Sequence, residues 1–263
     1  MKIEIQKIEA PRDIKELSEN LYMDNFNLVL NKYIECDEDD KVKSDTFMFK
    51  FKKVKFDTHY KFIKKQKYLV DRFAFQGYNI ARYKFKPYDR IIVGLGQESV
   101  REVSMTLHWI YGIPYIPGQA IKGMLSNWMT GEEAAKADYF KLIFGDEENK
   151  GSVIFMDSYP EDSSFRIKPD IINTHYPNYY MKNKELPSDW QVPNLIHFLT
   201  LSDVTFNIYL IYLEKDIEKM TIKGKTLEEW LKEAFRYGGI GAKTSLGYGT
   251  GYLRSIKGDR KYV

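Results

Sequence analysis

A glycine-rich segment, GGIGAKTSLGYGTG at positions 238–251, has the residue types best suited to binding an anion. It holds six glycines, Lys243 and three Ser or Thr residues. Glycine lets backbone N–H groups approach a ligand closely, and such amides beside a lysine form a cradle for phosphate. A nucleotide-binding P-loop is excluded, because Ala242 separates Gly241 from Lys243 and the segment follows a predicted helix. We therefore predict a loop that binds phosphate without hydrolysing a nucleotide.

A second candidate binding region is the basic and aromatic segment from Lys50 to Lys86. It carries ten Lys and two Arg against two Asp, together with ten Phe or Tyr residues. Lysines interleaved with aromatic rings suit a nucleic-acid backbone with stacked bases, and Lys52 and Lys53 are the candidates chosen there. The alternative is a solvated face with the aromatic rings packed inward. The sequence leaves both interpretations open.

Composition points to a folded protein of the cytoplasm. The chain of 263 residues is 43% hydrophobic, which favours one or two globular domains. Its single cysteine, Cys36, rules out an intramolecular disulfide and favours a reducing compartment. We expect no signal peptide, because the first residues lack an apolar core. We expect no membrane span either, because the most apolar stretch, 194–213, alternates with polar residues.

The histidines do not form a metal site in the sequence. His59, His108, His175 and His197 lie far apart, and no pair has the i, i+4 spacing of a helical zinc site. We therefore predict no metal and no cofactor. His175 lies in a segment with Tyr176, Tyr179 and Tyr180, which makes these four residues candidates for an interface or an RNA contact.

Hydrophobic periodicity predicts an α+β fold. One helix follows IPYIPG, and a second begins at Thr226, which forms a capping box with Glu229. Strands are predicted at DRIIVGLG after Pro87, at 151–159, at 204–212 and at 247–256, the third of them half-buried. This order matches the βαββαβ pattern of a ferredoxin-like (RRM-like) domain. We predict a helical, basic extension at 1–86, a core domain at 87–263 and a long loop insertion at 158–195.

Several motifs, taken in order, resemble a known family. GIPYIPGQAIKGMLSNW, FGDEENKGSVIFMDSYP and the glycine-rich segment resemble the RAMP superfamily of CRISPR proteins. IIVGLGQESV and DIINTHYPNYY narrow the similarity to the single-RAMP-domain sixth subunits of the type III-B Cmr effector complex. The resemblance covers residues 88–255.

The resemblance implies a non-catalytic subunit that binds CRISPR guide RNA and target RNA together with other Cmr subunits, in antiviral defence. Such subunits help to cap the complex towards the 3′ end of the guide and do not cleave the target. The implied RNA-binding residues, besides Lys52 and Lys53, are Gly118, Gln119, Lys122, Gly239, Gly241, Lys243, Thr244, Ser245 and Gly247. Gln119 and Ala120 depart from the family, because many relatives have two serines at these positions.

Two other functions remain open at this stage. The first is a metal-independent RAMP endoribonuclease that processes guide RNA, in which His59 or His175 would act as a general acid or base. The second is a protein–protein adaptor that docks through the aromatic residues of the insertion.

Overall fold

The computed structural model describes residues 25–31, 59–97, 99, 103–132, 134–136, 138–174, 176, 179, 186–187 and 194–256. Within these ranges the helices are α1 (Phe26–Asn31), α2 (His59–Phe75), α3 (Gly118–Gly131), α4 (Asp138–Phe144) and α5 (Leu227–Glu233). A π-helical turn, Ala234–Gly238, directly continues α5. Short 3-10 turns occupy Ala134–Lys136, Ile217–Lys219 and Thr244–Leu246.

Ten strands lie in the same ranges. They are β1 (Asn79–Pro87), β2 (Arg90–Ile91), β3 (Val153–Phe155), β4 (Tyr159–Pro160), β5 (Arg166–Thr174), β6 (Asn194–Ser202), β7 (Phe206–Tyr212), β8 (Thr221–Ile222), β9 (Lys225–Thr226) and β10 (Gly251–Ser255). The described chain thus combines α-helices with antiparallel sheets, and the predicted α+β class is confirmed.

The main sheet has the strand order β10-β1-β7-β3, with β4 also paired to β7, and every pairing is antiparallel. Helices α3 and α5 pack on one of its faces. Leu125 and Trp230 are at most 2% exposed there, and the Phe85 ring lies 4.3 Å from that of Phe235. Burying each such side chain stabilises the fold by about 1.5–3 kcal/mol. This core holds the segment that follows α5, which is the glycine-rich one.

Helix α5 begins as the sequence predicts. The Thr226 side chain accepts a hydrogen bond from the Glu229 N–H, and the Glu229 carboxylate accepts one from the Thr226 N–H at 2.7 Å. This capping box satisfies backbone donors that the first helical turn leaves unpaired. The prediction of a capping box at Thr226 is confirmed.

Helix α2 covers part of the opposite face of the main sheet. Val70 on α2 is fully buried, the Gln66 amide donates to the Asp157 carbonyl oxygen at 2.7 Å, and Asp71 forms an ion pair with Arg82 on β1 at 3.2 Å. Strand β7 is buried on both faces, and Ile211 is 0% exposed. The prediction of a half-buried strand at 204–212 is therefore wrong, because the alternation of residues in the sequence does not show what covers the second face.

A second sheet, β2-β6-β5, is formed where the sequence predicted a loop. Nine residues of β5 pair with nine of β6, so the first part of the 158–195 insertion is a strand. Pro169 suggested a loop, but β5 is an edge strand, where a missing N–H is tolerated. Only Arg90–Ile91 of the predicted strand DRIIVGLG is extended, and it joins this second sheet.

The first strand of the main sheet is instead β1, Asn79–Pro87. It continues the basic segment and crosses the predicted boundary between residues 86 and 87. The division into an extension and a core domain stays a prediction. The described part of the basic segment contributes one helix and one strand to the fold.

Candidate nucleic-acid interface

The glycine-rich segment folds back onto the strand that follows β1. The Ala242 N–H donates to the Ile92 carbonyl oxygen at 2.8 Å, and the Gly249 N–H donates to the Arg90 carbonyl oxygen at 2.8 Å. Within the loop, the Ile240 N–H donates to the Gly249 carbonyl oxygen at 3.0 Å. These three amides are used inside the protein and do not point to an external anion.

Two glycines with positive φ have different surroundings. Gly241 has a φ of 97°, and a Cβ atom there would lie 2.0 Å from the Ile92 carbonyl oxygen. Gly247 has a φ of 93°, but a Cβ atom there would meet no atom within 4 Å. Gly241 is thus required by contact between two backbone segments, whereas Gly247 leaves room for a ligand. Gly239, which also has a positive φ, is buried, and a Cβ atom there would lie 3.0 Å from the Thr250 side chain.

The side chains that a phosphate could reach lie at the tip of the loop. Lys243 adopts the left-handed conformation, with a φ of 58°, and directly precedes the 3-10 turn Thr244–Leu246. Its Nζ atom lies 6.0 Å above the centre of the Phe198 ring. Within the described part of the chain, Lys243 forms no ion pair, and Ser245 is exposed. The lysine charge is therefore not neutralised by a carboxylate of that part.

A cluster that the sequence did not predict attaches this loop to the second sheet. Asp170 on β5 accepts a hydrogen bond from Tyr248 at 2.5 Å and pairs with Arg90 at 2.7 Å. Desolvation and the bond to Asp170 together raise the pKa of Tyr248 to about 12. No sequence motif marks this cluster, because Asp170 and Arg90 are 80 residues apart.

The amino end of α3 is partly occupied by the protein itself. The Gly118 N–H donates to the Asp157 carboxylate at 2.8 Å, and a Cβ atom at Gly118 would lie 2.0 Å from the Phe155 carbonyl oxygen. This carboxylate already meets the positive end of the helix dipole. Gln119 is exposed and Lys122 half-buried, so their side chains are the remaining candidates for an RNA contact at this end.

Helix α2 shows how part of the basic and aromatic segment is used. Its inward side carries His59, Gln66 and Val70, whereas the lysines and Arg72 point outward. Tyr60, Tyr68 and Phe75 are also exposed, at 67%, 61% and 86%. The alternative interpretation holds for the rings that pack inward. Other rings share the outer face with the cations, and nucleic-acid binding by this face stays a prediction.

Several predicted residues lie outside the described residues. These are Lys52, Lys53, His175 and Tyr180. Of their neighbours in the insertion, Tyr176 is half-buried and Tyr179 is 51% exposed.

His59 lies in a position that does not suit acid–base catalysis. It is 3% exposed, and its Nε2 atom lies 2.9 Å from the Pro160 carbonyl oxygen. Burial lowers the pKa of His59 despite the opposing effects of that hydrogen bond and Asp162. In the described ranges, no three His, Cys, Asp or Glu residues come together as a metal site. No helix in those ranges has the length and apolarity to cross a membrane.

Comparison with known proteins identifies the family. The sequence profile of the RAMP superfamily matches residues 84–252, from the middle of β1 to the start of β10. This chain belongs to the RAMP superfamily. The matched region contains most of the main sheet, helices α3 and α5 on one of its faces and the whole glycine-rich segment.

Named relatives of this RAMP protein are subunits of CRISPR complexes. The chain is 34% identical to the CRISPR system Cmr subunit Cmr6 of Pyrococcus furiosus, over 63% of this chain and 66% of that protein. It is 27% identical to subunit Cmr6 of Saccharolobus solfataricus, over 68% of this chain and 60% of that protein. The chain thus spans just under two thirds of the length of these curated relatives.

The fold comparison also finds a chain of a Cmr complex. A chain of the type III-B Cmr-beta complex bound to cognate target RNA, solved by cryo-EM, superposes with a TM-score of 0.63 and 26% identity. The superposition covers 77% of this chain and 69% of that chain.

Proposed function

We propose that this chain is a non-catalytic RNA-binding subunit of a type III-B CRISPR Cmr effector complex. It would contact guide RNA, target RNA and neighbouring subunits in the cytoplasm, as part of antiviral defence. The observation that carries the proposal is the similarity, in sequence and in fold, to a chain of a Cmr complex bound to target RNA. The similarity to two Cmr6 subunits supports the same assignment.

The proposal includes a ferredoxin-like (RRM-like) core. Strands β1, β3, β7 and β10, with α3 after the first and α5 after the third, follow the βαββαβ order. Their antiparallel arrangement, β10-β1-β7-β3, supports this assignment.

Lys243 is the main phosphate contact in this proposal, supported by Thr244, Ser245 and Gly247. The lysine has no carboxylate partner among the described residues, and the loop tip is open around Gly247. Gly241 then acts by letting the loop approach the Ile92 carbonyl oxygen in the segment that follows β1, while the buried Gly239 packs against Thr244 and Thr250 within the loop.

The proposal assigns no nuclease activity to this chain. His59, a candidate acid or base for the alternative endoribonuclease, is buried against a backbone carbonyl. Incubating the purified protein with CRISPR repeat RNA in EDTA tests that alternative. We expect intact RNA, and discrete cleavage that disappears in a His175→Ala variant would establish the enzyme instead.

Binding of single-stranded RNA by the full chain across a salt series tests the proposal. We expect affinity to fall as salt rises, with a slope of about 0.7 in logarithmic units for each phosphate neutralised. Lys243→Ala is expected to reduce both the affinity and this slope. Lys141→Ala, which removes an exposed lysine of α4, is the matched control and is expected to bind like the unmodified chain. Equal binding by the two variants would contradict a phosphate role for Lys243.

A further inference from the structure

Three exposed tyrosines come together at the two ends of the glycine-rich segment. Tyr237 directly precedes the segment and Tyr252 directly follows it, while Tyr88 follows β1. The Tyr88 N–H donates to the Thr250 carbonyl oxygen at 2.8 Å, and the rings of Tyr88 and Tyr252 lie 4.6 Å apart at an angle of 80°. We call Tyr88, Tyr237, Tyr252 and Arg236 the tyrosine patch.

Arg236 connects the two halves of this patch. Its guanidinium carbon lies 5.2 Å from the centre of the Tyr237 ring. Desolvation and Tyr252 raise the pKa of Tyr88, whereas Arg236 acts in the opposite direction, which places the guanidinium beside Tyr88 as well. The Tyr237 ring in turn stacks on Trp128 of α3, with ring centres 6.4 Å apart and planes at 21°.

Two consecutive residues of the π-helical turn, Arg236 and Tyr237, face outward. Ala234 and Phe235 are fully buried, whereas Arg236 and Tyr237 are exposed. Phe235 packs on Phe85 of β1 and so anchors the turn to the sheet. Turns of this type are rare and occur frequently at functional sites.

The patch is both exposed and cationic at its border. Tyr88, Tyr237 and Tyr252 are 48%, 62% and 61% exposed. Lys86 pairs with Tyr252 across the β1–β10 ladder, and both Lys86 and Arg254 are exposed at that edge of the sheet. The carboxylate of Asp89, beside Tyr88, lies 3.9 Å from Arg90. Exposed aromatic rings can stack on unpaired bases. The cations at their border can bind the phosphates of the same single-stranded nucleic acid.

We infer that the tyrosine patch is a stacking platform for the unpaired bases of single-stranded RNA. The tyrosine rings contact base faces, and Arg236, Lys86 and Arg254 contact the phosphates between those bases. Stacking on aromatic rings tolerates any base sequence, which fits a protein whose RNA carries many different sequences. The inference rests on the proposed function, because it adds a second contact for the same RNA. The patch residues Tyr237 and Tyr252 directly flank the glycine-rich segment that carries Lys243.

The test compares three substitutions at Tyr88 and at Tyr252 in the full chain. Tyr→Phe keeps the ring, Tyr→Leu keeps an apolar side chain and Tyr→Ala removes both. For a single-stranded RNA of unrelated sequence, we expect Phe variants to bind like the unmodified chain. Leu and Ala variants are expected to lose affinity about 10-fold. Tyr78→Ala, at the other end of β1 and 37% exposed, is the matched control and is expected to bind normally.

Photocrosslinking locates the contact. With 5-bromouridine RNA, we expect crosslinked peptides to contain Tyr88, Tyr237 or Tyr252, and we expect these crosslinks to disappear in the Ala variants. Leu variants that bind RNA normally would overturn the inference. So would Ala variants that bind normally but lose a neighbouring subunit in the absence of RNA, which would make the patch a protein interface. Failure of the unmodified chain to bind any RNA at low salt would instead refute the proposed function, and the inference with it.

Discussion

The glycine-rich segment and the tyrosine patch are adjacent in the chain but serve the fold differently. The segment packs its backbone against the chain that follows β1, since a Cβ atom at Gly241 would meet the Ile92 carbonyl oxygen and two of its amides donate to carbonyl oxygens of that chain. The patch turns its rings outward, with Tyr237 and Tyr252 more than 60% exposed. A glycine-rich loop can therefore be a structural brace, whereas the exposed residues at its two ends form the surface that we infer to bind RNA.

Lys243 is the exception within the segment. It extends from the braced loop towards the Phe198 ring and has no carboxylate partner among the described residues. The loop thus presents one positive charge, that of Lys243, on a backbone held by hydrogen bonds. The patch presents three tyrosine rings. This division assigns phosphate contact mainly to the loop tip and base contact to the patch.

The largest expected effect comes from adding a methyl group at Gly241. Gly241→Ala places Cβ 2.0 Å from the Ile92 carbonyl oxygen at a φ of 97°. We expect the free energy of unfolding to fall by about 3 kcal/mol or more, because two backbones must separate. Urea unfolding followed by circular dichroism measures this loss. Gly247→Ala, with a similar φ but open space, is the control and is expected to cost about 1–2 kcal/mol. Equal losses would contradict a bracing role for Gly241.

The next largest effect is expected at the junction between the loop and the second sheet. Asp170→Ala removes the shared partner of Tyr248 and Arg90. We expect a loss of about 1–2 kcal/mol, since hydrogen bonds to a charged group stabilise more than neutral ones. Arg166→Ala breaks the more exposed pair with Asp203 at 2.9 Å and is the control, with an expected loss below about 0.5 kcal/mol. If both variants unfold at the same urea concentration, the junction does not hold the loop.

A smaller effect on binding is expected from the outer face of α2. Replacing Lys64 and Lys67 by Ala removes two exposed charges beside Tyr60 and Tyr68. If this face lies along the RNA, the salt slope falls by about 1.4 logarithmic units for the pair. We expect the slope to change less than this, because the patch and Lys243 provide the principal contacts. A full decrease would extend the RNA path across α2.

The smallest effect concerns alkaline pH. The pKa of Tyr248 is raised to about 12 in the folded protein, above the ordinary value of 10.0. The neutral Tyr248 hydroxyl therefore makes its full contribution to the free energy of unfolding below pH 10. This contribution is lost as the pH rises to about 12. Tyr248→Phe is expected to show a shallower decline in its urea midpoint over this range. An unchanged decline would mean that the bond to Asp170 does not contribute to this pH dependence.

The predictable parts of the fold depend on local signals. Helix α3 and the capping box of α5 follow from apolar spacing and from Thr226 with Glu229, which are neighbours in sequence. The wrong predictions concern residues whose structure depends on contacts with segments that are far away in the sequence. Ile211 is buried on the face of β7 that the sequence pattern left to solvent, and Pro169 lies in a strand only because β5 is at an edge.

The candidate site was predictable to a similar extent. Lys243 could be chosen from residue type and loop composition alone. The sequence could not predict that Asp157 occupies the amino end of α3, because the two are brought together by strand β3 and the turn after it. Nor could it predict the tyrosine patch, because Tyr88 and Tyr252 lie far apart in the sequence. Their rings meet only through the pairing of β1 with β10.

The most direct test of the central claim is the identity of the RNA that this chain holds in its own cells. A tagged full-length chain is purified under mild salt, and the RNA bound to it is sequenced. We predict strong enrichment of CRISPR guide RNA over total cellular RNA, retained in Lys141→Ala and reduced in variants that carry Ala at Tyr88 and Tyr252. Recovery of no RNA, or of RNA in the proportions of the whole cell, would contradict the assignment to a guide-RNA complex.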